Sequence, residues 1–290
     1  MPVHLNNILS ISDPVNHKGN EQKLFLSIGF LPDGFLYAIL DADAYRYIAL
    51  EEFKIADKTS GFNHYLSDIQ TIISENPLLN KSFQKVFVYY HSPGLVLIPQ
   101  KIYREQEKDQ LYGMCVTPDE EGQIRVDSLN ILKAKGLYVI PQKISSLLHQ
   151  FFPECRIRHY GTALIESILA SQKLERWQAD MVIHLNETHI EILLLENQSL
   201  LFYRSFNIQF FDDVLYHAFY VLEKFGWNAG DLHTVFLGKI AMDSREYETV
   251  RDLFGKVSFP DRNDAYRYAR AFDDVPYHYY YNLLNLNSCG

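Results

Sequence analysis

Cysteine is scarce. The 290-residue chain has three, Cys115, Cys155 and Cys289, far apart, odd in number and outside any C-x-x-C. That leaves no disulfide framework and no cysteine-built zinc site, and it reads as three reduced thiols in a cytoplasmic protein. Glycine is thin as well, at 14 residues, and is missing where phosphate motifs need it. There is no G-x-G-x-x-G and no G-x-S-x-G. Neither Gly238-Lys239 nor Gly255-Lys256 has a glycine five positions upstream, so a P-loop is excluded. Positive charge is outweighed: 27 Lys and Arg face 36 Asp and Glu, a net charge of −9. That argues against nucleic acid as the main partner, because phosphate binding needs a basic face. No stretch offers the roughly 18 uninterrupted apolar residues of a membrane span. Residues 86–100 lack Asp, Glu, Lys and Arg, but His91, Pro93, Gly94 and Pro99 break them. Residues 1–22 have no basic stretch ahead of an apolar core, so no signal peptide is expected there. They read as an N-terminal tail or an added edge strand.

What the chain does have is alternation. Met181, Ile183 and Leu185 alternate with Val182, His184 and Asn186, and Ile190, Ile192 and Leu194 repeat the pattern. Period two with β-branched residues predicts strands. Glu196-Asn197-Gln198-Ser199 reverses the chain and residues 200–206 resume it, so 180–206 reads as a three-stranded meander. Residues 23–54 echo it about half a chain earlier. Leu24, Leu26 and Ile28 alternate, Pro32-Asp33-Gly34 turns, 35–40 is a second strand, Asp41-Ala42-Asp43 turns again, and 45–54 is a third.

Each meander is followed by a helix and a strand. Phe62, Leu66, Ile69 and Ile73 have helical spacing ahead of an apolar strand at 86–90. Val214, Ala218, Val221, Leu222 and Phe225 do the same ahead of 235–237, with Gly226 as C-cap. Between the copies lie a helix within 103–115, an acidic loop at 117–122, a strand at 137–140, a helix face from Ile144 to Phe152, a strand at 156–160 and a helix opened by Gly161-Thr162. After the second copy, Asp243 and Glu246 have capping-box spacing ahead of Tyr247, Val250, Leu253 and Phe254. A strand at 257–259, a helix at 265–272 and an aromatic run at 277–281 complete the reading. The lobe boundary falls within 171–180, giving a tail at 1–22, a first lobe at 23–175 and a second at 176–290.

This order of elements resembles the actin-like ATPase (ribonuclease H-like) fold of actin, sugar kinases and chaperone ATPases. More narrowly it is similar to cytoplasmic pilus-assembly and type II secretion proteins of that fold. The nearest likeness is an uncharacterised bacterial family, a domain of unknown function with an actin-like ATPase fold. The resemblance runs from about Lys23 onward. It implies an α/β protein of two duplicated lobes, each with a mixed sheet beginning in a three-stranded meander, around an interlobe nucleotide site.

At that site the motifs fail. The first phosphate motif would resemble D-x-G-T and is Ser27-Ile28-Gly29-Phe30. The second would resemble D-x-G-G-G-T and is His184-Leu185-Asn186-Glu187-Thr188. The adenosine turn would have two or more glycines and is Phe236-Leu237-Gly238-Lys239. Backbone nests for phosphate and an acid for Mg²⁺ are both lost. His184, Glu187 and His189 are a conceivable metal set only if the turn at 186–188 folds them together, and turn polarity is the plainer reading. His189-Ile190-Glu191 mimics a deaminase H-x-E, but no P-C-x-x-C follows. Asp212-Asp213 and Asp273-Asp274 read as dipole partners of helix starts rather than an acid/base pair. The aromatic run at 277–281 reads as a docking surface or as packing on the second lobe.

The sequence therefore points to a non-catalytic protein of actin-like fold. It would bind a protein partner as scaffold or adaptor, with no nucleic acid and no membrane insertion. Its candidate interlobe cleft is Ser27, Gly29, His184, Asn186 and Gly238, with no catalytic residue, no metal and no cofactor, weak ATP binding left open. The competing reading is a divergent ATPase or small-molecule kinase with rearranged phosphate ligands. Asp33, Asp41, Asp43 and Glu187 are the only acids near enough in the two meanders to serve it.

Overall fold

Strands form where the sequence alternates. A computed structural model describes residues 5–13, 23–55, 61–117 and 122–289, with backbone alone at 288 and 289. An edge strand β1 (Leu5–Ser12) precedes the first meander, β2 (Leu24–Leu31), β3 (Gly34–Asp41) and β4 (Arg46–Ile55). Helix α1 (Phe62–Glu75) leads to β5 (Lys85–Tyr90). An insertion of β6 (Val96–Pro99), α2 (Lys108–Gly113), β7 (Gly122–Leu129) and β8 (Ala134–Pro141) forms its own small sheet, ordered β6-β8-β7. Next come α3 (Gln142–Phe151), β9 (Arg156–His159) and α4 (Tyr160–Lys173). The second meander is β10 (Met181–Leu185), β11 (His189–Glu196) and β12 (Ser199–Asn207). It is followed by α5 (Phe211–Phe225), β13 (His233–Gly238), α6 (Arg245–Leu253), β14 (Lys256–Ser258) and α7 (Tyr281–Asn285).

The two large sheets run β1-β4-β3-β2-β5-β9 and β12-β11-β10-β13-β14. Without β1 they have one order and one set of directions. The meanders are antiparallel, and the two strands added beyond each are parallel to its first strand. The lobes thus share a topology. Helices α1 and α3 cover the outer face of the first sheet through Ile69, Ile73, Ile144 and Leu148. Helices α5 and α6 cover that of the second through Val214, Ala218, Leu222 and Val250. The inner faces share one core, in which Leu36, Ala38 and Tyr89 of the first sheet meet Val182, Leu193 and Leu237 of the second through α4 and α7. Helix α4 is buried nearly all round, from Tyr160 through Gln172, as a helix between two layers must be. Truncating its fully buried Ile165 to Ala leaves a cavity at the junction and costs about 2–5 kcal/mol.

Several local expectations are corrected. Residues 265–272 form no α-helix. Arg267–Tyr268 pairs parallel with Arg46 and Tyr47 at the edge of β4, and Arg270–Phe272 is a single 3-10 turn. Rings decide this, since Tyr268 stacks on Tyr47 at 5.6 Å and Tyr266 meets it edge-on at 5.3 Å, and an extended segment sends both to one side. Helix α7, in the stretch expected to belong to a second lobe at 176–290, packs on β2 and β3 of the first sheet. Residues 5–12, expected as a tail or an added edge strand, form the edge strand, antiparallel to β4. The helix expected within 103–115 shrinks to α2 behind a 3-10 turn, Glu105–Glu107. The cap of α6 is Ser244, which accepts from Tyr247 N at 3.2 Å, in place of Asp243. Asp213 serves the start of α5, accepting from the backbone N–H groups of Gln209 and Phe210. Asp273 and Asp274 are exposed beyond the 3-10 turn and start no α-helix.

Gly226 and Gly238 both have positive φ, +68° and +85°. A side chain at Gly226 would enter open space, whereas a Cβ at Gly238 would run into the carbonyl of Leu185 on β10. Gly226→Ala is expected to cost about 1 kcal/mol from backbone strain alone. Gly238→Ala should cost clearly more, because β13 must also separate from β10. Thermal melts of the two variants measure the difference, and equal losses would show that the β10–β13 contact does not constrain Gly238.

Candidate functional site

The tips of β2–β3 and β10–β11 face the space between the lobes. Each carries an acid, Asp33 and Glu187, and one ammonium joins them. Lys54 Nζ on β4 lies 2.6 Å from Asp33 Oδ2, 3.2 Å from Glu187 Oε1 and 3.6 Å from Glu52 Oε1. Lys239, just past β13, places its Nζ 2.6 Å from Glu52 Oε2 and 2.8 Å from the Tyr280 hydroxyl, 4.1 Å from that ring's centre. The Tyr280 hydroxyl also donates to Glu52 Oε2. Burial pushes the Glu52 carboxyl up, but Lys239, the Tyr280 hydroxyl and Lys54 outweigh it and hold the group below its usual range. Burial pulls Lys54 down and Asp33, Glu52 and Glu187 raise it past its usual value. At Lys239 burial wins and the ammonium is drawn down. The space left among these side chains is about 20 Å³, room for one water.

The five residues expected at the cleft separate into groups. Ser27 is fully buried, and its hydroxyl donates to Asn287 Oδ1 at 3.2 Å under the C-terminal segment. Gly29 is a strand residue and not a turn, since β2 runs on to Leu31 and the reversal is at Pro32-Asp33. A Cβ there would lie 2.5 Å from the ring of Tyr89 across the ladder. His184 and Asn186 come together on Tyr160, the first residue of α4. The phenol donates to His184 Nδ1 at 2.5 Å and accepts from Asn186 Nδ2 at 3.1 Å. Burial, with His278 nearby, lowers the His184 imidazole to about 3, so it is neutral and free to accept. Gly238 backs this group from β13.

Of the four candidate acids, Asp33 and Glu187 reach the cleft. Asp41 and Asp43 do not, and Asp41 instead caps its own turn by accepting from the N–H groups of Asp43 and Ala44. His184, Glu187 and His189 do not converge, because His184 is held by Tyr160 and Glu187 by Lys54. Among the described residues, His91, His189 and Glu191 are the set placed to hold a metal, their ligand atoms lying within 4.8 Å of one another. Glu52, Lys54, Lys239 and Tyr280 were not anticipated. One signal was available: the strand Arg46–Ile55 carries Glu51, Glu52 and Lys54 in an otherwise apolar, buried run, and charge is kept in a buried strand only where it is paired. The aromatic run at 277–281 packs between the lobes, with Tyr277, Tyr280 and Tyr281 buried. At the mouth of the cleft a cavity of about 530 Å³ remains, walled by Leu31, Asp33, Tyr65, His91, Glu187 and Thr188 among others.

A family model described as "Protein of unknown function (DUF3822)" matches residues 13–257. The chain belongs to that family. Its structure is similar to a crystal structure from Bacteroides thetaiotaomicron of a protein with actin-like ATPase fold and unknown function. The TM-score is 0.72 at 18% identity, over 93% of this chain and 97% of that one. It is also similar to the PilM-PilN type IV pilus biogenesis complex, with TM-score 0.61 and 10% identity over 89% and 97% of the two chains. No curated protein matches the sequence. The fold is the actin-like ATPase fold, and among the described residues no helix is long and apolar enough to cross a membrane.

The sign of one pH dependence follows. The folded-state carboxyl of Glu52 lies below its ordinary value of 4.5. Its contribution is therefore complete above that value and is lost as pH falls through the folded one. The urea midpoint should drop between pH 5 and pH 3. Glu52→Gln should cost about 3 kcal/mol at pH 7, since it strands Lys239 while Lys54 keeps Asp33 and Glu187, and should show a shallower acid limb. An unchanged acid limb in the variant would place the acid-sensitive group elsewhere.

Proposed function

We propose that this DUF3822 protein is a non-catalytic member of the actin-like fold that works by binding a protein partner, as a scaffold or adaptor. One observation supports the reading: side chains of both lobes close the space among Glu52, Lys54, Lys239 and Tyr280 to about 20 Å³, in the region where the fold resemblance would put a nucleotide. Lys54 and Lys239, which line that space, are committed to Asp33, Glu52 and Glu187. Both hairpin tips present acids rather than glycine nests, which disfavours a triphosphate by like charge. The positions that would carry a metal-binding acid are Ser27 and His184, both buried and hydrogen-bonded within the protein. Catalysis of phosphoryl transfer needs room, a cation and unpaired donors at the transferred group, and the space beside Lys54 and Lys239 is about 20 Å³. PilM is described in a complex with PilN, a protein of similar fold with a protein partner. That supports partnering as the use to which this architecture is put here.

The second reading, a divergent ATPase or small-molecule kinase, has the cavity of about 530 Å³ in its favour, because Asp33 and Glu187 line it. Calorimetry with Mg-ATP and a phosphate-release assay separate the two. The expected outcome is no release above buffer and, at most, weak binding heat. Turnover that disappears in Asp33→Ala or Glu187→Ala would replace the binding protein with the enzyme. The positive side is tested by expressing a tagged chain at native level and quantifying what stays bound at high salt. A stoichiometric protein is expected, and recovery of the chain alone would remove the adaptor.

A further inference from the structure

Most buried polar groups in this protein have partners, and one cluster does not. Glu191 is 0% exposed, His189 1% and His91 7%. Neither carboxylate oxygen of Glu191 makes a hydrogen bond, nor does either ring nitrogen of His91, nor Nε2 of His189. Buried polar atoms are paired in the great majority of cases, so five unpaired atoms in one place need an explanation. The local fold brings them together. His189 and Glu191 are two apart on β11, and alternate residues of a strand project from one face. His91 directly follows β5, its backbone N–H bonded to Phe30 O at 3.0 Å. One ligand set therefore spans both lobes and stands on rigid elements.

We propose that His91, His189 and Glu191 form a divalent transition-metal site, with Zn²⁺ the ion the donors fit. His91 Nε2 lies 3.4 Å and His189 Nε2 3.9 Å from Glu191 Oε1, and neither contact has hydrogen-bond geometry. Zinc at 2.0–2.1 Å from each ligand in tetrahedral geometry sets its ligand atoms about 3.4 Å apart, so the set is near the spacing an ion needs. Two imidazoles and one carboxylate with no thiolate suit zinc or ferrous iron, and not Mg²⁺ or Ca²⁺, which take oxygen ligands. Metal-bound histidines are oriented by a partner on the other ring nitrogen. Here His189 Nδ1 lies 3.3 Å from Thr188 Oγ1. At the start of α4 the Gly161 N–H donates to His159 Nδ1 at 2.9 Å. The Tyr203 hydroxyl lies within hydrogen-bonding reach of Glu191, without a well-aligned bond to it, and can donate to the carboxylate oxygen the metal leaves free. Three protein ligands leave a fourth position, and His91 is also a wall of the cavity of about 530 Å³ at the cleft mouth. This inference does not depend on the adaptor reading. A zinc site would hold the lobes together in either case.

The test is a titration of the full chain, dialysed against EDTA, with ZnCl₂ by calorimetry at pH 7, alongside Co²⁺ absorption spectra and thermal melts. One zinc per chain is expected, with Kd below about 10 µM, visible Co²⁺ bands of a four-coordinate site, and a melting temperature lowered by EDTA and restored by Zn²⁺. His91→Ala and Glu191→Gln should each weaken binding by more than about 100-fold, the upper end for losing a mere outer partner, and Thr188→Val by about 10-fold. Without metal, Glu191→Gln should melt no lower than wild type, because it removes an unpaired buried carboxylate. If His91→Ala and Glu191→Gln fail to fold, X-ray absorption of zinc-loaded wild type decides, and two imidazoles with a carboxylate support the site. No binding in wild type, binding retained in the folded variants, or a zinc shell lacking those ligands would each overturn it.

Discussion

The ammonium groups that bridge the lobes, Lys54 and Lys239, meet at one buried carboxylate, Glu52. It sits on β4 of the first lobe and holds Lys239 of the second, with Lys54 and the Tyr280 hydroxyl sharing its oxygens. A lone carboxylate in such a place would cost several kcal/mol in lost hydration. Two ammoniums and a phenol offset that cost only in a narrow geometry. The consequence is positional more than energetic: Lys239 can reach Glu52 only if β13 and β4 face each other at one separation. A cleft held by such a pair is poorly suited to opening around a ligand, because every ångström of opening strands charges on both sides.

The C-terminal segment completes the closure. After β14 the chain leaves the second sheet, touches the edge of β4 at Arg267–Tyr268 and returns between the lobes as α7. Tyr47 donates to Leu284 O, Asn282 donates to Tyr160 O, and Tyr280 lies under Lys239. The aromatic run therefore acts as a gasket from the second half of the sequence seated on the first half of the structure. Aromatic rings suit this position, because they bury large apolar area while their hydroxyls still find partners. Helix α4 contributes from the other side, with Tyr160 holding the neutral His184 and Asn186 where the second phosphate motif would have its turn.

How much of this was legible follows from what each signal depends on. The meanders were readable because period two is a property of neighbouring residues, and β2 to β4 and β10 to β12 lie where the alternation puts them. The duplicated topology was readable for the same reason, repeated. The return of residues 266–289 to the first lobe was not, since it depends on Tyr47 meeting Tyr266 and Tyr268 across more than two hundred positions. Gly29 stands where the first phosphate motif would have its glycine. Its place is set by the ring of Tyr89 on a neighbouring strand, which no local pattern reports. The three imagined ligands His184, Glu187 and His189 were near one another in sequence, and the fold separated them. The actual cluster needs His91, which lies almost a hundred positions earlier.

That contrast gives the last step. Of the described carboxylates, Glu52 and Glu191 on the interlobe face are the most deeply buried, at 2% and 0% exposure, ahead of Asp33 at 6%. Glu52 has two lysines and a tyrosine; Glu191 has two imidazoles at 3.4 and 3.9 Å and no hydrogen bond. Natural cores rarely keep an uncompensated charge, because removing one partner of a buried pair costs about 3–5 kcal/mol. A residue as dispensable for packing as a glutamate, held on a β-branched strand between Ile190 and Ile192, is therefore there for what it binds. The motifs that once defined nucleotide chemistry in this fold are absent, yet the face between the lobes remains the place where polar side chains of both halves are gathered. The two halves supply matched sets: Lys54 and Glu52 against Lys239 and Glu187, His91 against His189 and Glu191. A duplicated fold naturally presents such complementary faces, and here Lys54 and Lys239 pair with Asp33, Glu52 and Glu187 across them.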